Sequence, residues 1–227
     1  TFRFSQWDPA NPKNKYEGTK EQWDHAQSVM AKILDDLGVK YDIGIDEAAF
    51  YGPKLDIQYK NVYGKEDTLV TIQIDMLLAE RFGMYYTDEN GEKKLPYIIH
   101  RTSLGCYERT LAYLIEHYAG ALPTWMAPEQ VRFLPVTDRA VDYCKEQAAK
   151  LTAQGYRVTV DTRSEKIGKK IRDAQMEKIP YMLVVGDRDI EAGTVSPRHR
   201  ADGDLGAMTL EAFTAVLKDV VDNKLKK

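Results

Sequence analysis

Residues 97–120, YIIHRTSLGCYERTLAYLIEHYAG, combine polar side chains suited to chemistry with a change of secondary structure. An apolar strand ends at His100 and Arg101, and a helical period follows Gly105. This period places Arg109 away from the apolar stripe of the helix. An arginine held over a sheet can bind a planar anion or stack on a base. The alternatives are a solvated helix arginine and a histidine with a structural role.

A polar row lies on the strand VTIQIDM, where Thr71, Gln73 and Asp75 alternate with apolar residues. Helices predicted over 23–37 and 107–118 each have one apolar stripe, so they cover one face of this sheet. We predict that the second stripe is the core side of its helix; it consists of Leu104, Tyr107, Leu111, Leu114, Ile115 and Tyr118. The polar face of the sheet then meets either water or a small polar ligand, which neutral hydrogen-bonding side chains suit.

The segment AAFYGPKLD places a tight turn, Tyr51-Gly52-Pro53, just before a strand. One interpretation is a turn with an aromatic ring packed on it. The other is a pocket wall, with Tyr51 and Lys54 reaching over the polar face of the sheet.

Basic residues are concentrated in the second half of the chain, although the net charge of the whole chain is -3. The segment RSEKIGKKIR sets five bases against Glu165: Arg163, Lys166, Lys169, Lys170 and Arg172. A later strand adds Arg198, His199 and Arg200. Such a local concentration favours a polyanion partner over a merely solvated face. Phosphate contacts would supply affinity, and Arg198 could read a base in a single-stranded loop.

The four histidines and two cysteines show no ligand spacing, so the sequence indicates no complete metal site. Cys106 and Cys144 form no CxxC pair, which is typical of a protein in the reducing cytosol. There is no signal peptide and no apolar run near the roughly 20 residues that span a membrane. We therefore predict a cytoplasmic protein with no membrane partner.

The arrangement of the elements predicts two domains, and an α/β fold overall. Residues 1–127 read as an opening loop to Gly18, a helix, and closely linked antiparallel strands with a hairpin at Asn90-Gly91, an α+β pattern. From Val131 strands alternate with helices, which predicts βαβ units and a mainly parallel sheet over 128–227.

Several segments, taken in order, resemble the C-terminal half of the threonyl-tRNA synthetases, a family of class II enzymes. They are AFYGPKLDIQ, TIQIDM, LAERFGM, IIHRTSLGCYERTLAYLIEHYAG, LPTWMAPEQVRFLPV and RSEKIGKKIRDAQMEKIPYMLVVGDRD. The resemblance runs from about Tyr16 to Lys227, and its most specific part, the HR–G–ER helix, is similar to motif 3 of class II synthetases. It implies the end of a class II catalytic domain followed by an anticodon-binding domain.

The resemblance also implies roles for individual residues. His100 matches one of three zinc ligands, Tyr51 and Gln73 match threonine-binding residues, and Lys54 lies beside them as a catalytic candidate. Arg109 matches the motif 3 arginine along ATP, and Thr71 a residue near the ATP ribose and the tRNA 3′ end. In the second domain the implied anticodon-binding residues are Arg163, Lys166, Arg172, Asp189 and Arg198.

The implied activity is that of a threonine–tRNA ligase. L-Threonine would be activated with ATP and Mg²⁺, then transferred to tRNA(Thr), with Zn²⁺ selecting for the threonine hydroxyl. Motif 1, motif 2 and the other two zinc ligands lie upstream in the family and are not in this sequence. We therefore expect a fragment that is inactive alone, from an enzyme that is a homodimer at full length. The alternatives are a non-catalytic tRNA- or RNA-binding protein derived from a synthetase, and a relative of the prolyl-type enzymes.

Overall fold

The computed structural model describes residues 1–11 and 15–225, which form two compact units, Thr1–Tyr113 and Leu114–Lys227. The division falls inside helix α3, and the domain boundary predicted between 127 and 128 stays a prediction. The elements of the first unit are β1 (Phe2–Gln6), α1 (Lys20–Asp36), β2 (Asp42–Ile45), β3 (Lys54–Lys60), β4 (Glu66–Asp75), α2 (Leu78–Arg81), β5 (Tyr86–Thr87), β6 (Lys93–Lys94), β7 (Ile98–Arg101) and the start of α3 (Tyr107–His117).

The main sheet of the first unit has the strand order β2-β1-β3-β4-β7. Its pairs are antiparallel, as predicted, except that β1 and β2 are parallel. The predicted loop up to Gly18 is wrong over β1. Phe2 and Phe4 alternate there with Arg3 and Ser5, and Phe4 is fully buried, so β1 is held by its apolar face.

Helix α1 packs on part of the apolar face of this sheet, where Ile99 on β7 stays 58% exposed. It begins with a capping box, in which Thr19 accepts from the backbone of Gln22 and the side chain of Gln22 accepts from the backbone of Thr19. Met30 and Leu34 then pack in one cluster with Phe4 and Leu55. The opposite, polar face of the strands is thereby left for a site.

The apolar stripe of α3 is not a buried core side, so that prediction is wrong. Tyr107 is 75% exposed and Leu111 is 53% exposed, and no residue of α3 is buried. The helical period correctly gives the apolar side of the helix. It does not tell whether another element covers that side.

The second unit is an α/β sheet that carries helices on both faces. Its elements are β8 (Val131–Pro135), α4 (Ala140–Ala153), β9 (Val158–Val160), α5 (Ile167–Met176), β10 (Tyr181–Val185), α6 (Asp187–Ala192), β11 (Thr194–His199), β12 (Gly203–Asp204), β13 (Met208–Thr209) and α7 (Leu210–Asp222). The strand order is β12-β11-β10-β8-β9, with β13 paired to β11. The strands that helices connect, β8, β9 and β10, are parallel, and β11 adds antiparallel pairs.

Alternation along β8 and β10 divides the core of the second unit into two layers. Phe133 and Leu183 pack with α4 and α7 on one face, whereas Leu134 and Met182 pack with α5 on the other. Helix α5 starts at Ile167, four residues after the start of the predicted helical segment, so Arg163 and Lys166 lie in the turn that precedes it. Within residues 1–11 and 15–225, no helix is long and apolar enough to cross a membrane.

Candidate functional site

The strand register of the first unit brings four predicted site residues together. Lys54 on β3 pairs with Gln73 on β4, and Gln73 pairs with His100 on β7, so the three side chains share the polar face. The Tyr51 hydroxyl, from the turn before β3, donates to Gln73 Oε1 at 2.5 Å. Its ring centroid lies 5.9 Å from that of His100. Together these residues line one polar surface.

Asp75 is a buried residue that contacts His100. It is 0% exposed, and its Oδ2 lies 2.8 Å from His100 Nε2. Its Oδ1 accepts from the backbone N–H groups of Leu77 and Leu78, both at 2.9 Å, at the start of α2. Burial raises the pKa of Asp75, but the hydrogen bonds from His100 and these two amides outweigh it and hold the pKa below its usual range. Asp75 is therefore a buried anchor and not a solvated member of the polar row.

Asp56 contacts both Lys54 and a further predicted residue, Thr71, and was not itself singled out from the sequence. It is 3% exposed, and its Oδ2 accepts from Lys54 Nζ at 2.5 Å. Its Oδ1 accepts from Thr71 Oγ1 at 2.8 Å, and Ser5 Oγ approaches Oδ2 at 3.5 Å. The signal for it was available: Asp56 lies two residues after Lys54, and so on the same face of the strand.

A β-bulge sets the position of Arg109. Ile57 pairs with Val70 but Gln58 pairs with Thr68, so Leu69 is the extra residue on β4. The Thr68 carbonyl accepts from Arg109 Nη1 at 3.0 Å. The Arg109 guanidinium, near the start of α3, therefore lies against β4.

Gly105 allows that close approach. Its φ is +68°, and a Cβ added to it would lie 1.9 Å from the Leu69 carbonyl oxygen. Only glycine meets both demands without strain.

The next feature is the set of side chains around His100 that could bind zinc. A protein zinc site needs at least three protein ligands. Among residues 1–11 and 15–225, no group of three or more His, Cys, Asp or Glu side chains could hold a metal ion. His100 alone does not constitute a zinc site.

The predicted residues of the second unit lie in four places. Arg163 and Lys166 precede α5, Arg172 is exposed on it, and Asp189 and Arg198 lie on α6 and β11. Arg163 forms a bidentate ion pair with Asp161, in which Nε donates to Oδ1 at 2.9 Å and Nη2 to Oδ2 at 2.7 Å. Its Nη1 donates to Asp173 Oδ2 at 3.0 Å.

Asp189 and Arg198 differ in how fully they are engaged. Asp189 accepts from the Gly186 amide and from the Thr194 and Ser196 hydroxyls, so it has a structural role at the start of α6. Arg198 approaches Asp204 at 3.5 Å, and its Nε is buried with no hydrogen-bond partner among residues 1–11 and 15–225. Arg198 is therefore the better placed of the two to gain a ligand.

The chain matches two family models in sequence. One, "tRNA synthetase class II core domain (G, H, P, S and T)", covers residues 10–118, and the other, "Anticodon binding domain", covers 130–220. A threonine–tRNA ligase of Clostridium perfringens is 58% identical over 213 residues, which are 94% of this chain and 33% of that protein. The chain belongs to the threonyl-tRNA synthetase family.

Other members of the threonyl-tRNA synthetase family agree in sequence and in structure. A threonine–tRNA ligase of Geobacillus kaustophilus is 46% identical over 99% of this chain and 34% of its own length. The RNA-binding domain of threonyl-tRNA synthetase from Cryptosporidium parvum Iowa II superposes with a TM-score of 0.83 at 32% identity, over 96% of this chain and 54% of that one. The chain spans about a third of the length of the curated relatives it matches.

Proposed function

We propose that this chain is part of a threonine–tRNA ligase, which activates L-threonine with ATP and Mg²⁺ and transfers it to tRNA(Thr). The observation that supports this most directly is the shared polar surface of Tyr51, Gln73, His100 and Lys54, in a chain of the threonyl-tRNA synthetase family. Residues 1–127 would end the catalytic domain, and 128–227 would bind the anticodon.

In the first step a threonine carboxylate oxygen attacks the α-phosphorus of ATP and pyrophosphate leaves. Tyr51 and Gln73 would bind the amino acid, since both offer neutral hydrogen-bonding groups on the polar surface. Lys54 and Arg109 would stabilise the charge that develops on the phosphate. Asp56 would keep the Lys54 ammonium on this face.

In the second step a hydroxyl of the terminal tRNA ribose attacks the threonyl carbonyl and AMP leaves. Thr71 lies at the Asp56 end of the surface, beside the place proposed for ATP and the tRNA 3′ end. The anticodon loop would contact Arg163, Lys166, Arg172, Asp189 and Arg198. Of these, Arg198 has a partly exposed side chain, at 32%, and its contact with Asp204 is long at 3.5 Å.

His100 would supply one zinc ligand, as the family resemblance implies. Among the described residues no group of three such donors includes His100, so no step of this reaction is assigned to zinc. The proposal also includes a homodimer of the full-length enzyme, in the cytoplasm.

The test is threonine-dependent ATP–pyrophosphate exchange, measured on this chain and on a form extended upstream to the length of the relatives. We expect exchange from the extended form and none from this chain. No exchange from either, together with retained tRNA binding, would favour the second candidate, a non-catalytic tRNA-binding protein. The match to an anticodon-binding domain over 130–220 supports that candidate equally well.

A further inference from the structure

The segment that leads from α3 to β8 is packed into the second unit. We call its residues 121–128 the connector. Segments between domains are ordinarily exposed, flexible and often rich in proline. The connector contains Pro123 and Pro128, yet Pro123 is buried, Thr124 is 0% exposed and Ala127 is 4% exposed. It is therefore an ordered part of the second unit and not a free linker.

Two arginines bind the connector through its backbone. Arg157, just before β9, donates from Nε to the Ala127 carbonyl at 2.8 Å and from Nη2 to the Trp125 carbonyl at 3.0 Å. Arg200, just after β11, donates from Nη2 to the Ala121 carbonyl at 2.9 Å. Both ends of the connector are thus held by guanidinium groups from distant points of the chain.

Arg200 also binds a second carbonyl and has no acidic partner. Its Nη1 donates to the Lys178 carbonyl at 3.0 Å, and its backbone N–H donates to the Pro180 carbonyl at 3.0 Å. In the part of the chain that the structure describes it forms no ion pair, and burial lowers the pKa of its guanidinium. A desolvated guanidinium needs hydrogen-bond acceptors, and here backbone carbonyls supply them. The side chain is therefore committed to the connector and its surroundings.

A glutamine and a lysine add to these contacts. Gln130 is 1% exposed, and its Nε2 donates to the Thr124 carbonyl at 3.0 Å. Its Oε1 accepts from the Arg157 backbone N–H at 3.0 Å. The Lys224 ammonium, after the end of α7, lies 5.7 Å from the centre of the Trp125 ring. All of these contacts lie inside the second unit, so they fix the connector to that unit.

The arginine that binds the start of the connector is close to a proposed anticodon contact. Arg198 lies on β11, two residues before Arg200. A base bound by Arg198 would therefore contact the same stretch of chain that holds the connector. Transfer of threonine needs one tRNA molecule held at its anticodon and at its 3′ end, so it depends on how freely the second unit moves. Activation of threonine by ATP does not involve the anticodon.

We propose that Arg157 and Arg200 are positioning residues for the transfer of threonine to tRNA. They fix the connector, so that the second unit does not move freely on a flexible linker while it holds the anticodon. The inference rests on the proposed function and adds to it two residues that are not among the proposed RNA contacts. The two half-reactions separate this role from the chemistry of activation.

The first test compares wild type, Arg200→Met and Lys145→Met in the form extended upstream to the length of the relatives. Lys145 on α4 is 59% exposed and serves as the control. We expect Arg200→Met to lower kcat for charging of a tRNA(Thr) transcript by at least about tenfold, because misplacement slows a step that depends on orientation. The KM for tRNA and the threonine-dependent ATP–pyrophosphate exchange should stay unchanged, and Lys145→Met should match wild type throughout. A folded Arg200→Met variant that charges tRNA at the wild-type kcat would overturn the proposal.

A second measurement separates positioning from RNA contact and from folding. The affinity of this chain for the isolated anticodon stem–loop of tRNA(Thr) is measured for wild type and Arg200→Met. We expect equal affinities, because the stem–loop is too short to depend on the connector. A loss of affinity as large as the loss of charging would make Arg200 an RNA contact or a folding residue, and would overturn its positioning role.

Order parameters of the connector amides test its rigidity in wild type, without any variant that has to fold. We expect values near 0.85, as for rigid backbone, at Ala121, Trp125 and Ala127. Values below about 0.6 are those of a flexible linker and would overturn the proposal. An extended wild-type form without exchange would contradict the proposed function, and the order parameters would still decide whether the connector is fixed.

Discussion

The Asp56 carboxylate lies 2.5 Å from the Lys54 ammonium, and both residues lie on β3, whose residue Lys54 pairs with Gln73 of β4. The same carboxylate accepts from Thr71 Oγ1, so one buried acid positions two residues proposed to act on ATP and threonine. Two buried acids thus position the side chains of the polar face. Asp56 accepts from Lys54 and Thr71, and Asp75 contacts His100.

Replacing Asp56 should destabilise the first unit. Asp56→Asn keeps the size of the side chain but removes its charge, and leaves Lys54 in a partly buried site without a counterion. Hydrogen bonds to charged groups contribute about 1.5–3 kcal/mol, so we expect a loss of that order in the free energy of unfolding, measured with urea. The control is Asp24→Asn, which removes an exposed pair with Lys20 and should leave the midpoint unchanged. Equal midpoints for the two variants would show that Asp56 has no such role.

Gly105 is predicted to be irreplaceable at the start of α3. Gly105→Ala forces a side chain to within 1.9 Å of the Leu69 carbonyl oxygen and onto a backbone with a φ of +68°. The matched control is Gly64→Ala, where φ is +76° and nothing lies within 4 Å. Both variants bear the left-handed strain of about 1–2 kcal/mol, and only Gly105→Ala also displaces α3. Equal thermal midpoints for the two variants would contradict the close packing at the bulge.

The second unit should lose stability in acid through Asp161. Hydrogen bonds from Arg163, opposed by burial, hold the pKa of Asp161 below its usual range. Its contribution to stability is therefore complete above the unfolded-state pKa of about 3.9 and is lost as the pH falls through the lower, folded-state value. We expect the urea midpoint of wild type to fall as the pH is lowered below about 4, and Arg163→Gln to flatten that fall. A fall of the same size in Arg163→Gln would assign the effect to other carboxyls.

The two cysteines should react at very different rates. Cys106 is exposed, whereas Cys144 is fully buried and burial raises the pKa of its thiol to about 12. The thiolate is the reactive form, so we expect an alkylating reagent near pH 8 to modify Cys106 and to reach Cys144 only after unfolding. Peptide mass spectrometry of the modified chain distinguishes the two sites. Rapid modification of Cys144 in the folded chain would contradict the packing of α4 against the sheet.

Much of the fold could be predicted from local patterns. Helix α1 follows from its apolar period, whereas its capping by Thr19 was not predicted, and the alternation after Val131 gives the α/β unit. Strand β1 was missed although Phe2 and Phe4 alternate with Arg3 and Ser5, because this alternation is short, leads into a polar segment, and is fixed by pairing with β3, far along the chain. The exposed stripe of α3 shows the same limit, since periodicity does not show what covers a face.

The candidate site was predicted in part, for a related reason. The alternation of VTIQIDM gave the polar face, but the register that joins Lys54, Gln73 and His100 depends on pairs between three strands. The burial of Asp56 and Asp75 follows from that packing. In the second unit, the engagement of Arg163 with two acids could not be inferred from a count of bases along a helix.

The central claim is that the surface around Gln73 binds threonine, and Tyr51 tests it most directly because a single hydroxyl is removed. Threonine-dependent ATP–pyrophosphate exchange is measured on the extended form for wild type, Tyr51→Phe and Tyr86→Phe, the last an exposed tyrosine on the separate hairpin. The account predicts that Tyr51→Phe lowers kcat/KM for threonine by about tenfold, equivalent to one hydrogen bond, with KM for ATP and the Tyr86→Phe variant unchanged. A Tyr51→Phe variant with wild-type kcat/KM for threonine would contradict it.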